Sequence, residues 1–478
     1  MKFLSVLLLA LPVACAPAAP APPRSPIERG PLCGAVTTNS AVIKAKLATN
    51  GATARLVFSR SAELTEPLYS AADTAATNRG KVVAFTLDQL APDTAYHYAL
   101  EIDGKIVPEK HGEFRTFPMG PASFSFAFGS CSLTGSTNKV FDVIRENRPL
   151  FYMNDGDWHY EDIRDNVRSR FRAAYDKVLA SPPQAKLYRH VPFVYMWDDH
   201  DFTGDNSDTS TKAHEATRLT YQEYIPHYPL AAGQGDVPIY QTFTVGRAKF
   251  ILTDLRSARD KSNKKDDDKK SMLGAAQKEW FKQQLLEANG KYPLIVWVTT
   301  VPWLGHSGSN YYRSPTNFIG YMHHTNLPAR PSAKPAIPRA PDQPRPPASS
   351  PPAGEDHWAS FSTERRELAD FIKTNHIQGV CILHGDSHML AADDGSNGDY
   401  ATDGGGAKIP VMCAGPLDNA PSIKGGPYSQ GVYKVKKNEG CFGLINVTDT
   451  GGEITVQYSG RNNLNLEKVS LKFTVPAP

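Results

Sequence analysis

Six short apolar runs punctuate the middle of the chain, and each ends in polar residues: FSFAFGSC, LFYMNDGDWHY, FVYMWDDHD, KFILTDLR, LIVWVTTVPW and VCILHGDSH. β-Branched and aromatic runs of this length read as strands buried on both faces. In open α/β sheets the loops beyond the strand ends hold the active site. Helical spacing appears between the runs. GAAQKEWFKQQLLEA carries Trp280, Phe281, Gln284 and Leu285, and a second helix opens near Ser362 and Thr363, with Glu364 in its first turn and Leu368, Phe371 and Ile372 on one face. From Ser123 onward this alternation is that of a layered α/β domain. The last segments, CFGLINVTDTGGEITVQYSG and KVSLKFTV, return to hairpin-like strands and are expected to complete the second sheet of that domain.

Upstream the pattern differs. Residues 32–118 hold short alternating segments, such as SAVIKAKL, TARLVFSR, KVVAFTL and AYHYALEI, broken by Gly-, Asn- and Asp-rich turns. Dense strands without helical periodicity predict an all-β immunoglobulin- or fibronectin type III-like sandwich. A Pro/Ala-rich stretch at 21–31 reads as a linker. Residues 1–20 read as a secretory signal peptide, with one Lys, a short apolar run and small residues around Ala14 and Ala16. Cys15 also stands where a lipoprotein leader is cleaved, which makes a lipid anchor the alternative to release into the periplasm or medium. No later segment is long and apolar enough for a membrane helix. The α/β domain is expected over 122–475, interrupted by a proline-rich insert at 327–352 and a mixed-charge loop, DKSNKKDDDKK, that reads as a solvated surface.

Composition narrows the function more than the fold. A formal charge of +3 and ordinary apolar content lack the concentrated basic footprint of a nucleic-acid binder. An anionic substrate would have to be met by local charge, and nothing in the pattern bears on oligomeric state. Export would favour pairing of cysteines. With Cys15 set aside, Cys33, Cys131, Cys381, Cys413 and Cys441 remain; Cys131 is expected to be a metal ligand or free thiol, and the other four to form two disulfides.

The polar ends of the strands carry the chemistry. In NDGDWHY, Asp157 and Tyr160 lie three apart after a strand and a Gly, and both can turn back to the strand end; a carboxylate and a phenolate are hard ligands suited to an ion such as Fe³⁺. A capped surface turn is the plainer explanation of that spacing alone. WDDHD concentrates Asp198, Asp199, His200 and Asp201 at the end of a buried strand, where unpaired charge would be costly. His200 between acids suits a proton donor or phosphate partner. HGDSH places Asp386 and His388 two apart, so that both can face one site, while His384 reads as a core or supporting histidine. Of Asp254, Arg256 and Arg259, an arginine could clamp phosphate or close an internal salt bridge.

Together these blocks resemble the metallophosphoesterase superfamily, and within it the PhoD-like alkaline phosphatases and phosphodiesterases. The resemblance implies a metallophosphoesterase β-sandwich flanked by helices, with Asp157 as bridging ligand and Tyr160 and Cys131 on iron. It implies Asp199 in the place of the family's asparagine, Asp386 and His388 as further ligands, and His200 with Asp201 as catalytic residues. Arg256 and Asn206 are the substrate-binding candidates, and Thr299, Thr300 and His306 the residues from which a last ligand would come. The implied cofactors are Fe³⁺ and Ca²⁺, with zinc or other divalent ions as alternatives. The implied reaction is hydrolysis of a small phosphoester, diester or monoester, by in-line attack of a metal-bound water. Two other readings stand beside it: a phosphate-scavenging phosphomonoesterase, and a non-catalytic cell-surface binding protein.

Overall fold

The computed structural model describes residues 25–305 and 356–477. The leader 1–20, Cys15, His306 and the proline-rich stretch 327–352 lie outside them. All six apolar runs form strands, and they divide between two sheets. The larger sheet has the order Glu467–Pro476, Glu453–Asn462, Cys441–Asp449, Phe124–Gly129, Tyr152–Asn154, Phe193–Tyr195, Ile27–Gly34, Ala41–Leu47, Val82–Leu87. The smaller runs Gln241–Val245, Ala248–Leu252, Leu294–Val298, Val380–His384, Val411–Ala414, Met389–Asp393, Val432–Lys434. In each sheet the central strands are parallel, in registers such as Asn154 opposite Gly129 and Tyr195, and Val298 opposite Leu252 and Leu383. The ends of the strands in each parallel set therefore finish level.

Alternation along each strand assigns its two faces. Phe250, Val296, Val298 and Leu383 point into the core between the sheets, where they join Phe126, Phe128 and Phe151. Ring centroids there are 5.3 Å apart for Phe126 and Phe250, and 5.4 Å for Phe151 and Phe250. Truncating Phe250 would cost about 3–5 kcal/mol. Ile251, Ile295, Trp297 and Ile382 point the other way, onto Phe281 and Leu285 of helix Ala275–Ala288 and Leu368 and Ile372 of helix Ser362–Thr374. The outer side of the large sheet is covered by Arg168–Ala180, Pro182–His190 and His214–Tyr224, with Tyr188 4.5 Å from Phe193 between ring centroids.

Several expectations are corrected. Residues 27–31 are not linker: Ile27–Gly34 pairs with Ala41–Leu47 and runs parallel to Phe193–Tyr195. Through it, Ala41–Leu47 and Val82–Leu87 are continuous with the larger sheet, the link being the single pair Gly34–Phe193. Only Leu68–Tyr69, Asp73–Thr74, Thr53–Ser59, Ala95–Ile102 and Lys105–Arg115 form a sheet of their own. The C-terminal hairpins extend the sheet of Phe124–Gly129 rather than the second one. No disulfide forms among the described residues. Cys33, Cys131, Cys381, Cys413 and Cys441 are all free and buried, and Cys33, Cys381, Cys413 and Cys441 lie on four different strands, packed as small apolar side chains. The charged loop is more than a solvated surface: Asp266 caps Ser362–Thr374 by accepting from Ser362 N (2.9 Å) and Oγ (2.5 Å), and Lys270 Nζ donates to Ser360 O. Ser362 and Thr363 are thus capped from outside rather than capping.

Candidate metal centre

The loops that leave Phe124–Gly129, Tyr152–Asn154, Phe193–Tyr195 and Val380–His384 converge on one buried cluster. Sharp reversal at the strand ends is what turns the candidate ligands inward. Cys131, Asp157, Asp386 and His388 all adopt left-handed backbone, with φ of 61°, 53°, 55° and 39°. Such conformations cost non-glycine residues about 1–3 kcal/mol and persist where surrounding structure enforces them. Two glycines permit the close approach: a Cβ on Gly156 would lie 2.6 Å from Asp198 Cβ, and one on Gly385 2.4 Å from Ser130 Cβ.

Asp157 lies at the centre. Its carboxylate joins Cys131 and His388, Asp199 and His200, and Asp198 and Asp386 in three groups, each with candidate ligand atoms within 4.8 Å of one another. Tyr160 Oη donates to Asp157 Oδ2 at 2.7 Å and lies 3.1 Å from His388 Nε2. His388 Nδ1 is 2.5 Å from Ala420 O, and because a carbonyl only accepts, Nδ1 carries the proton and Nε2 offers its lone pair. Asp157 Oδ1, Asp198 Oδ2 and Asp386 Oδ2 are buried without a hydrogen-bond partner. Burial and the charges of Asp199, Asp198, Asp201 and Asp386 push the Asp157 carboxyl well above the carboxylate range. Burial, Asp157 and Asp386 likewise raise the Cys131 thiol, and burial, Asp157 and Cys131 raise the Tyr160 phenol. Orphaned oxygens and mutually repelling acids fit bound cations, whose charge inverts this balance.

Around the cluster the residues divide by task. His200 is 20% exposed, with Nδ1 2.7 Å from Asp162 Oδ1 and Nε2 3.8 Å from Asp205 Oδ1. Burial opposes its charge, but Asp199, Asp162 and Asp205 hold its pKa above the ordinary value. Asp199 Oδ2 accepts from Asn206 N at 2.6 Å, so Asn206 meets the cluster through its backbone, while its amide bonds Asp205. Asp201 is not in the cluster. Its oxygens accept from Trp158 N, Tyr195 Oη and Asp198 N, which makes it a buried capping residue of the turn that presents Asp199 and His200. Arg256 is not placed to clamp substrate either. It is fully buried, with Nε on Asp198 Oδ1 (2.7 Å) and its two terminal nitrogens on Asp356 (3.1 and 2.8 Å). Arg259 pairs with Asp356 under the Phe361 ring, and Asp254 accepts from Trp197 Nε1, Arg256 N and Ser257.

Four participants escaped the sequence reading or were left without a task. Asp198 was visible as charge, but its hold on Arg256 and Thr300 (Oγ1 2.7 Å from Asp198 Oδ1) is tertiary. Asp162 follows Tyr160 by two residues, close enough to have been suspected as a partner of His200. Asp356 and Lys424 carry no local signal. Thr299, by contrast, accepts from Trp358 Nε1 at 2.8 Å.

Two stacked mixed sheets with strand-end loops converging on a carboxylate-rich, cysteine-bearing cluster define a metallophosphoesterase-type α/β fold. The family model of PhoD-like phosphatases matches residues 126–458, and the chain belongs to that family. Alkaline phosphatase D of Bacillus subtilis (strain 168) is 21% identical over 350 residues, which are 64% of this chain and 53% of that protein; the chain thus spans about half of that relative's length. Among solved structures, that of PhoD superposes with a TM-score of 0.71 at 16% identity, covering 96% of this chain and 92% of the other. A purple acid phosphatase from yellow lupin (Lupinus luteus) seeds gives 0.59 at 12% identity, covering 94% and 74%. At these identities the likeness is one of fold. Among the described residues no helix is long and apolar enough to cross a membrane.

Proposed function

We propose that the protein is an exported metal-dependent hydrolase of phosphodiesters, phosphomonoesters or both, with its N-terminal β-layers as a variant of the immunoglobulin/fibronectin type III kind. The observation that carries this reading is the gathering of Cys131, Asp157, Tyr160, Asp199, Asp386 and His388, from four separate loops, around buried carboxylate oxygens without partners. Cys131, Tyr160, Asp157 and His388 Nε2 suit iron, and Asp157, Asp198, Asp199 and Asp386 suit calcium. Bound there, the ions would supply a nucleophile at neutral pH and neutralise charge on the phosphoryl oxygens. His200 holds a proton at Nε2, with Nδ1 fixed by Asp162, and delivers it to the departing ester oxygen. Asp201 and Arg256 act through others: one shapes the His200 turn, and the other holds Asp198 in place and opposes the rise in its pKa that burial causes.

Turnover of bis-p-nitrophenyl phosphate and p-nitrophenyl phosphate, with and without chelator, tests the proposal; the rate ratio chooses diester or monoester. Chelator-insensitive turnover, or none by metal-loaded protein, would refute it. A visible absorption band that disappears in Tyr160→Phe would support a phenolate on ferric iron.

A further inference from the structure

One cation at the site has no task in the scheme above. Lys424 stands in the segment 415–431, which follows Val411–Ala414 and is tied down on several sides. Leu417 N donates to Ser130 O (2.9 Å), Asp418 N to Cys131 O (3.2 Å), Ser422 N to His388 O (3.3 Å) and Gly426 N to Leu304 O (3.3 Å). Ala420 O also receives the His388 Nδ1 proton. The segment is therefore fixed to the same strand ends that carry the ligands. It presents Lys424 Nζ 2.6 Å from Asp386 Oδ1.

Exposure separates this cation from its neighbours. The Lys424 side chain is 35% exposed, whereas the Asp386 side chain beneath it is 4% exposed. The Arg256 and Arg259 side chains are 0% and 1% exposed, and both are engaged by Asp356. An ester entering from solvent brings its phosphoryl oxygens to the outer side of the carboxylate cluster, where Lys424 stands and the guanidinium groups do not. An ammonium carries three donors around a compact charge, so the contact with Asp386 leaves the geometry for a second acceptor.

Resting on the hydrolase reading, we propose that Lys424 is a substrate-binding residue that holds a non-bridging phosphoryl oxygen. A charge contact of this kind grows with the charge of the phosphoryl group. A monoester dianion should depend on it more than a diester monoanion does.

The test compares wild type, Lys424→Gln and Lys424→Arg, all metal-loaded, by calorimetric titration with inorganic phosphate and by metal analysis. Loss of one charge-assisted hydrogen bond should weaken phosphate binding about ten-fold in Lys424→Gln, with Lys424→Arg within about three-fold of wild type and metal content unchanged in both. KM for p-nitrophenyl phosphate should rise about ten-fold in Lys424→Gln, more than that for the diester, with kcat within about three-fold. Equal phosphate affinity in all three proteins would overturn the assignment. So would weakened binding that saturating metal restores, because Lys424 would then serve only Asp386. The two readings fail separately. Absence of ester turnover by metal-loaded wild type sinks the hydrolase reading, while phosphate titration judges Lys424 whether or not esters turn over; a wild type that turns esters over yet does not bind phosphate refutes the Lys424 assignment alone.

Discussion

Replacing Arg256 by methionine separates a substrate clamp from an internal strut. The guanidinium is completely buried and bridges two buried carboxylates, through Nε to Asp198 and through both terminal nitrogens to Asp356. Methionine fills the space but leaves Asp198 with only Thr300 as a side-chain donor, and leaves Asp356 to Arg259. Removing one partner of a buried ion pair costs about 3–5 kcal/mol, because the remaining charge stays desolvated. Unfolding entropy of about 2.1 cal/mol/K per residue, over 478 residues, gives about 1 kcal/mol/K and a melting temperature lower by about 3–5 °C. Circular dichroism melts of metal-loaded protein measure this. Arg256→Lys should lose less, since one charge contact survives. The double variant Arg256→Met, Asp198→Asn should lose less than the sum of its parts, since the two groups are in contact. An unchanged melting temperature accompanied by a raised KM would refute the reasoning and restore Arg256 as a substrate clamp.

Asp157→Asn should lose bound metal and activity together, as measured by elemental analysis and ester turnover; a full metal complement would remove Asp157 from the bridging role. Gly385→Ala brings a Cβ to within 2.4 Å of Ser130 Cβ, and overpacking of this order costs about 1–3 kcal/mol, which should appear as a melt lowered by a few degrees. Asp155 is fully buried, and both its carboxylate oxygens lack partners; burial raises its pKa to about 8. With the folded pKa above the unfolded value, the stability associated with Asp155 is complete below pH ~4 and falls as pH rises towards about 8. Asp155→Asn should therefore gain in melting temperature over wild type at pH 8 and not at pH 4, and equal differences at both would show that ionisation is not the cost. Reducing agent should leave the melt unchanged, because the described cysteines are free thiols.

The strands and the motif ends were legible because both are local. A run such as LIVWV must be buried on both sides whatever surrounds it, and a Gly-Asp or Asp-His step after such a run turns at the strand end. Order along the chain therefore exposed Cys131, Asp157, Tyr160, Asp199, His200, Asp386 and His388 as one set. The start of the first strand was not legible, because Ile27–Gly34 begins inside a Pro/Ala-rich stretch and is held as a strand by pairing with Ala41–Leu47 and, at Gly34, with Phe193. Which acids face the cluster was also beyond local pattern. Asp198, Asp199 and Asp201 share one short segment, yet a single turn of helix sends Asp199 to the cluster and Asp201 to a cap, and only the neighbours Trp158, Tyr195 and Arg256 decide between them.

By itself, then, the sequence determined the buried strands, the chemistry at their ends and the family's order of blocks, all properties of short stretches of chain. Tertiary structure alone decided the pairing of charges. Arg256 with Asp198 and Asp356, Lys424 with Asp386 and Asp266 at the start of a helix join residues 38 to 100 positions apart. Whether a buried charge is a ligand, a strut or a cap depends on which counter-charge the fold brings within about 3 Å, and distance along the chain carries no such information.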